Sequence, residues 1–304
     1  MSNLEELSYY GLKPTPTGHL LVQQDMSNNL VLYESNFVEK FKFPGTVTDR
    51  APVNFFRNPH FSFEGKKVIW FGGKSTLFTV DLRDMSVLKL ENVIPQDLGG
   101  DDSRTQPLHC VADFEREKVL VSYFFEEEYV LSYIEKGREA DIHILNEIFP
   151  KFDEITCMDL DKNKAFGFVG GVSVVDQRNQ GLGVSRKGVV AAFSFNKDLK
   201  IVAQLELPTD KCSYVGSILV SPMHEDVIFV CTDGPLFILG LDTADKKLHV
   251  IKAINFNNKG KQNLRAMFDN LEMNNSMCIY HDSLYIASGE RNSFITEMKF
   301  PGQI

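Results

Sequence analysis

The feature that most constrains this chain is a repeating group of short segments of the β type. Apolar residues alternate with polar ones in bursts rich in Val, Ile, Leu, Phe and Tyr, and Asp, Asn, Gly and Lys fill the gaps. Such alternation is typical of strands that bury one face. The bursts come in groups of four that recur with a period of roughly 40 to 50 residues. The sequence therefore predicts an all-β fold built from repeated four-stranded sheets.

Six such groups fit the sequence. Four are clear, starting near Pro59, Leu108, Ile155 and Val215, and two weaker ones lie near its ends. A period of this length in strands predicts a β-propeller. We expect a single propeller domain over residues 1–304 with six blades, and the length also accommodates seven. The last group lacks its outer strand, so we expect the segment 4–9 to complete it, which would close the ring and leave no free edge there.

Two stretches carry a resemblance to a known family. HFSFEGKKVIWFGG followed by LFTVDLRD, and SILVSPMHEDVIFVCTDG followed by LFILGLDTAD, resemble the inner-strand, turn and third-strand pattern of divergent WD-repeat propellers. Where that family often closes the third strand with Trp-Asp, this chain has Val80-Asp81 and Gly240-Leu241, and its single tryptophan is Trp70 on a second strand. The resemblance implies a propeller without the family's buried Asp/His/Ser/Trp network.

Composition narrows the classes of partner. Acidic residues number 41 against 32 basic ones, giving a net charge of -9, which disfavours broad binding to nucleic acid or to an anionic membrane. We find no secretory signal and no apolar run long enough to span a bilayer, and expect a cytoplasmic or nuclear protein. The cysteines lack metal-ligand spacing and are expected to be free thiols packed in the core: Cys110, Cys157, Cys212, Cys231 and Cys278.

Connection lengths predict which end of the propeller works. In a four-stranded blade, the turns that follow the first and third strands lie at one end, here called the short-turn end. The remaining connections lie at the opposite, loop-rich end. The sequence places tight polar turns at the short-turn end. It places long connections at the loop-rich end, namely 44–58, 95–106, 176–188 and 255–275. Loops longer than a hairpin needs are where function concentrates, so we predict a working face at the loop-rich end.

Arginine distribution favours the same end. Seven of the ten arginines fall in its connections, and guanidinium groups are weakly hydrated forks suited to carboxylate or phosphate. Surface ion pairs with neighbouring acidic residues are the alternative explanation. We predict that this face binds a protein or an acidic or phosphorylated peptide, as part of a larger assembly, through Arg50, Phe55, Phe56, Arg57, Arg104, Arg178, Arg186, Lys187, Arg265 and Arg291.

Searches for catalytic, cofactor and metal motifs lead to no assigned site. The run Asp159-Leu-Asp161-Lys-Asn163 begins like a calcium loop but lacks the glycine and the closing glutamate, and is interpreted as a turn. The glycine-rich run 181–188 lacks the order of a phosphate loop and is interpreted as a mobile loop. We therefore predict a non-catalytic interaction module or scaffold subunit.

Two other functions stay open. The first is a metal-dependent enzyme resembling six-bladed hydrolases or lactonases, with Asn58, His109 and Glu154 as the contributors that the sequence offers near inner-strand starts. The second is RNA binding by the arginine rim, with Phe55 or Phe56 as a stacking platform.

Overall fold

The structure is a computed structural model of the chain. The residues that it describes are 9–14, 20–24, 30–33, 39–42, 60–61, 67–71, 77–81, 86–90, 106–125, 128–135, 138–161, 163–176, 184–208, 212–221, 224, 226–254, 276–280, 283–287 and 295–299. Over these ranges the chain is built of antiparallel sheets joined by turns, which confirms the all-β prediction. Among these residues, no helix has the length and hydropathy that a bilayer crossing requires.

Two compact units divide the chain, one formed by residues 1–142 with 274–304 and the other by residues 143–273. The first unit contains sheets 1, 2, 3 and 6, numbered along the chain. Sheet 1 consists of β1 (Tyr9–Pro14), β2 (Leu20–Gln24), β3 (Leu30–Tyr33) and β4 (Glu39–Lys42), and sheet 2 of β5 (His60–Phe61), β6 (Lys67–Phe71), β7 (Leu77–Asp81) and β8 (Ser86–Leu90). Sheet 3 consists of β9 (Gln106–Asp113), β10 (Lys118–Phe125), β11 (Glu128–Glu135) and β12 (Asp141–Ile144). Sheet 6 consists of β21 (Ser276–Tyr280), β22 (Ser283–Ala287) and β23 (Ile295–Lys299).

The second unit contains a short helix and two long sheets. The helix α1 covers Leu145–Ile148. Sheet 4 consists of β13 (Glu154–Leu160), β14 (Phe166–Asp176), β15 (Val184–Ser194) and β16 (Ile201–Glu206). Sheet 5 consists of β17 (Val215–Val220), β18 (Val227–Thr232), β19 (Leu236–Asp242) and β20 (Lys247–Ile254). Each sheet in the described part of the chain keeps its strands in sequence order.

First strands of different sheets lie side by side. In the first unit β1 is next to β21 and β5 is next to β9, and in the second unit β13 is next to β17. This is the arrangement expected of inner strands in blades. Of the predicted closing segment, Tyr9 belongs to β1 and pairs with Gln24, while residues 4–8 lie outside the described ranges. Ring closure, blade number and the single domain over 1–304 stay predictions.

Sheets 4 and 5 share one apolar core, which includes Phe168, Val190, Ile218, Ile228 and Leu239. Alternate side chains of each strand enter this core, and the burial of each large one stabilises the fold by about 1.5–3 kcal/mol.

Asp159, on the inner strand of sheet 4, adds a polar link to sheet 5. Its carboxylate accepts hydrogen bonds from the backbone amides of Leu160 and Val220, each at 2.9 Å. The carboxylate is buried among these donors, so this aspartate has a structural role in joining the two sheets.

Turns at the short-turn end share a local device. Asp113, Asn196 and Asp242 each accept a hydrogen bond from the amide two residues onward, at 3.0 Å or close to it. Each turn then closes through a residue with positive φ that is not glycine, as at Lys246 with φ of 52°. Asx side chains imitate a backbone turn and so direct the chain into the next strand. The predicted tight turn after Asp161 is also confirmed, since the Asp161 carboxylate accepts from the Phe166 amide at 2.8 Å.

Replacing Lys246 by glycine is expected to stabilise the protein, because a side chain at φ of 52° is strained and glycine is not. We expect the free energy of unfolding to rise by about 0.5–1 kcal/mol, measured by urea denaturation. The matched control is Lys247→Gly, in the extended strand β20, where glycine should lower stability by about 0.5–1 kcal/mol. Equal effects of the two substitutions would contradict the role assigned to the positive φ.

One predicted connection is wrong. We expect a long connection over 176–188 with a mobile loop at 181–188, but β14 extends to Asp176 and β15 begins at Val184, so residues 184–188 belong to a strand. The two strands pair without interruption from Phe166 opposite Ser194 to Asp176 opposite Val184. Arg186 and Lys187 are consequently strand residues. Glycine, serine and basic residues are common in loops, but here backbone pairing with β14 overrides that local preference.

Candidate functional site

Most of the predicted contact residues lie outside the described ranges. These are Arg50, Phe55, Phe56, Arg57, Arg104, Arg178, Arg265 and Arg291, and their role stays a prediction. Arg186 and Lys187 are described, and both are exposed. The candidate site is therefore examined at the segment that carries these two residues.

Arg186 and Lys187 lie on a two-stranded extension of sheet 4. Inner strand β13 ends its pairing with β14 at Val172, and outer strand β16 ends its pairing with β15 at Val189. Beyond those positions, residues 173–176 pair with residues 184–187 alone among the described strands. We call these eight residues the ribbon. It continues the two central strands past the sheet at the loop-rich end.

The base of the ribbon is held on both edges. On the β14 edge, the Asp153 amide donates to the Val172 carbonyl at 2.9 Å, and the Asp153 carboxylate accepts from the Val174 amide at 2.5 Å. On the β15 edge, the Gly188 amide donates to the Cys212 carbonyl at 3.1 Å, and the Leu207 amide donates to the Gly188 carbonyl at 3.0 Å. These bonds satisfy backbone groups that a sheet edge would otherwise leave open, and they fix where the ribbon starts.

Gly188 is required for this attachment. A Cβ atom at that position would lie 2.5 Å from the Cys212 sulfur and 3.2 Å from Leu207 Cδ1. The chain that follows β16 can therefore approach β15 closely only because residue 188 has no side chain. The close approach lets the Gly188 backbone bond to Cys212 and Leu207 and so attaches the base of the ribbon to the core of the second unit.

The two faces of the ribbon differ in chemistry. Residues opposite each other on paired strands share a face, so Arg186 lies with Val174 and Lys187 lies with Ser173. Val174 is 38% exposed. Arg186 has no ion pair or hydrogen bond to the residues that the structure describes. One face thus offers a guanidinium beside an apolar side chain, both accessible.

The other face holds a small charge cluster around Glu206, on the neighbouring β16. Lys151 Nζ lies 3.1 Å from Glu206 Oε1, and Lys187 Nζ lies 3.7 Å from Glu206 Oε2. The hydrogen bond from Lys151, helped by the charges of both lysines, holds the pKa of the Glu206 carboxyl below its ordinary value. Glu206 therefore takes up a proton at a lower pH than a free glutamate does. Two cations sharing one carboxylate leave a net positive patch.

This arrangement can bind an anionic group. Arg186, Lys187 and Lys151 supply three cationic side chains to the base and sides of the ribbon, against the carboxylates of Glu206 and Asp153. Asp153 is already engaged by the Val174 amide. Surface cations of this kind recognise carboxylate or phosphate groups through charge-assisted hydrogen bonds.

Sequence reasoning missed Lys151 and Glu206. Lys151 lies after α1, and Glu206 lies at the end of an outer strand, far apart in sequence. Neither belongs to a motif. The signal that brings them together is strand pairing, in which Glu206 stands opposite Val189 and so on the face of Lys187.

The cysteines behave as the packing interpretation predicts. Cys110, Cys157, Cys212 and Cys231 are buried thiols that are not joined in disulfide bonds. Burial raises the pKa of Cys110, Cys157 and Cys212 to about 12, because a thiolate would be stripped of water. Cysteines with such pKa values are poor nucleophiles and poor metal ligands. The side chain of Cys278 is outside the part of the chain that the structure describes.

Alkylation of the native protein by iodoacetamide at about pH 8 should leave Cys110, Cys157 and Cys212 unmodified, because almost none of their thiols is ionised there. The same three should be fully alkylated in denaturant. Peptide mass spectrometry measures both. Rapid labelling of any of the three in the native protein would show that the core of its unit is open.

The described residues contain no group of three His, Cys, Asp or Glu side chains positioned to hold a metal ion. Of the residues that the enzyme hypothesis requires, His109 and Glu154 are described and Asn58 lies outside the described ranges. The enzyme hypothesis stays a prediction.

Known proteins were compared at the levels of sequence and fold. No protein-family model and no curated protein matches the sequence. Solved structures match over 97% of this chain. U3-55K is 13% identical, with a TM-score of 0.51 and 96% of its chain covered. The β-propeller domain of Cps50 (Swd1) from Myceliophteria thermophila is 10% identical, with a TM-score of 0.54 and 87% of its chain covered. A third is hydrazine synthase from Kuenenia stuttgartiensis, with 10% identity, a TM-score of 0.61 and 84% covered. The chain accordingly has the β-propeller fold.

Proposed function

We propose that this WD-repeat-like propeller is a non-catalytic protein-interaction module whose loop-rich end receives an acidic or phosphorylated segment of a partner protein. The observation that carries the proposal is the ribbon: an anchored extension of sheet 4 that presents Arg186, free of described partners, beside the exposed Val174. A cation next to an apolar side chain is a common composition of contact surfaces.

Energetics favour contact over stability as the role of these cations. An exposed arginine without a partner contributes little to folding, and its fork of donors is available to a ligand. Anchoring at Asp153 and Gly188 fixes the ribbon before binding, which lowers the entropy lost when a partner docks. The neighbours of known structure include WD40-repeat proteins, but the propeller fold hosts many functions, so the fold supports the proposal only in general terms.

Further contacts are proposed at the predicted residues outside the described ranges. The predicted long connections 44–58, 95–106 and 255–275 would each join an outer strand to the next inner strand, so we expect them at the loop-rich end. Arg50, Phe55, Phe56, Arg57, Arg104 and Arg265 lie in those connections. The acidic partner would be large enough to contact several blades, as a subunit of an assembly would be.

Charge reversal at the ribbon tests the proposal. We expect Arg186→Glu with Lys187→Glu to weaken binding of short Asp-, Glu- or phosphoserine-rich peptides by about ten-fold or more, because two attractions become repulsions. Fluorescence anisotropy with labelled peptides measures the change. The matched control is Lys197→Glu with Lys200→Glu, both exposed at the opposite end of sheet 4, with the same change in net charge.

Three results would count against the proposal. Equal losses in the ribbon and control variants would mean that net charge alone governs binding. Unchanged binding by the ribbon variant would place the acidic segment elsewhere. Tighter binding of single-stranded RNA than of any acidic peptide, falling steeply with salt, would favour the RNA alternative. Melting curves of both variants are expected to match that of the parent protein, since the altered side chains are exposed.

Glu206→Gln gives a test in the opposite direction. The substitution removes the carboxylate that Lys151 and Lys187 share, so both ammonium groups become available to a ligand. We expect affinity for the same acidic peptides to rise by up to about five-fold, the value of one or two exposed ion pairs. The matched control is Glu147→Gln in α1, which leaves both lysines paired. A fall in affinity would contradict the role assigned to this cluster.

A further inference from the structure

The ribbon has two edges, and each strand turns alternate backbone groups outward from the pair. In an antiparallel pair the amide and carbonyl of successive residues point by turns toward the neighbouring strand and away from it. The Gly188 amide and carbonyl both bond outside the β14–β15 pair, to the Cys212 carbonyl and the Leu207 amide. Because β14 and β15 pair without a register shift, the same outward orientation recurs at Arg186 and Val184.

The edge formed by β15 is open beyond Gly188. The chain that follows β16 bonds to Gly188 through Leu207 and then bends at Pro208. Two residues further along the ribbon, the outward amide and carbonyl of Arg186 have no hydrogen-bond partner among the described residues. A donor and an acceptor left unpaired on an exposed strand form a template for one more strand.

The edge formed by β14 is closed at the same level. The Asp153 amide donates to the Val172 carbonyl, and the Asp153 carboxylate accepts from the Val174 amide. The negative charge of Asp153 also repels an acidic segment from this edge. An acidic strand that adds to the ribbon therefore pairs with β15.

Cationic side chains flank the β15 edge on both faces of the ribbon. Arg186 is exposed on the face that it shares with Val174. Lys187 is exposed on the opposite face, where its ammonium group lies 3.7 Å from Glu206 Oε2. Successive side chains of an added strand point to these two faces in turn. Two consecutive anionic residues on that strand therefore place one negative charge near each cation, whereas anionic residues separated by one position share a single face.

We propose that the partner segment adds a strand to the β15 edge of the ribbon, with two consecutive acidic or phosphorylated residues at the level of Arg186 and Lys187. This inference rests on the proposed function, because it takes the acidic segment as the occupant, and it adds the backbone mode of recognition. The residue opposite Arg186 donates its amide to the Arg186 carbonyl and accepts the Arg186 amide at its own carbonyl. The segment is extended and has no proline at that position.

Charge selects this occupant over a second copy of the chain. Pairing of two β15 edges would bring Arg186 and Lys187 of both copies together, and like charges on paired strands destabilise the pairing. An acidic segment gains charge-assisted hydrogen bonds to these side chains in addition to the backbone bonds at the edge.

N-methylation of the peptide backbone, at one position at a time, tests the inference. The probe is a fluorescein-labelled peptide of about ten residues, in which two consecutive glutamates lie between valine and threonine residues. We expect methylation to weaken binding by about ten-fold at two positions that flank a tolerant one, because only alternate amides point toward β15. At the tolerant position the change should be less than about two-fold, since that amide faces solvent. Fluorescence anisotropy measures each dissociation constant.

A peptide of the same composition, with its two glutamates separated by one residue, is the matched control. Both carboxylates then lie on one face, so binding should weaken by about three-fold. NMR amide exchange of the full chain gives a second measurement. Exchange at the Arg186 amide should slow when the unmethylated peptide binds, whereas exchange at the Lys187 amide, which faces β14, should change little.

Equal sensitivity to methylation at every position, or at none, would overturn the inference. If charge reversal at Arg186 and Lys187 still weakened binding in that case, the proposed function would stand without it. Failure of the unmethylated peptide to bind would overturn both. Equal affinity of the control peptide would show that the two faces are not engaged together and would also overturn the inference. Slower Arg186 exchange at higher protein concentration, without peptide, would assign the edge to a second copy of the chain.

Discussion

Antiparallel order is the constraint on which this molecule depends. When four strands pair in sequence order, the turns after the first and third strands fall at one end of the sheet, and the remaining connections fall at the other. Sheet 4 shows the consequence most clearly, since its β13–β14 and β15–β16 turns are short and capped while its central strands run on into the ribbon. Each end can then change its residues without disturbing the apolar core between sheets 4 and 5.

Charged side chains of both signs occur at the two ends of the second unit. The ribbon places Arg186 and Lys187 at one end, where Glu206 neutralises the charge of Lys187 and Lys151 only in part. At the other end, Asp242 serves the fold, because its carboxylate caps the turn after β19. In a chain whose net charge is -9, a local cationic site stands out from its surroundings.

The sequence predicts the strands and short turns well, because alternation and Asx signals are local. The strand β6 and the turn before Lys247 fall where the pattern indicates. The sequence predicts a loop at 181–188 because glycine and basic residues are common in loops, and only the pairing of residues 184–188 with β14 makes them a strand. The contacts of Asp159 with Val220 and of Glu206 with Lys151 join distant segments, so no local pattern reveals them.

The central claim is that the ribbon is the contact surface for an acidic segment. Hydrogen–deuterium exchange of the protein, alone and saturated with a phosphoserine-rich peptide, tests it directly. The account predicts slower exchange at the amides of residues 173–176 and 184–187, because these residues pair with no strand outside the ribbon. It predicts unchanged exchange at residues 163–166, in the turn between β13 and β14 and at the start of β14. Protection confined to the short-turn end, with the ribbon unaffected, would contradict it.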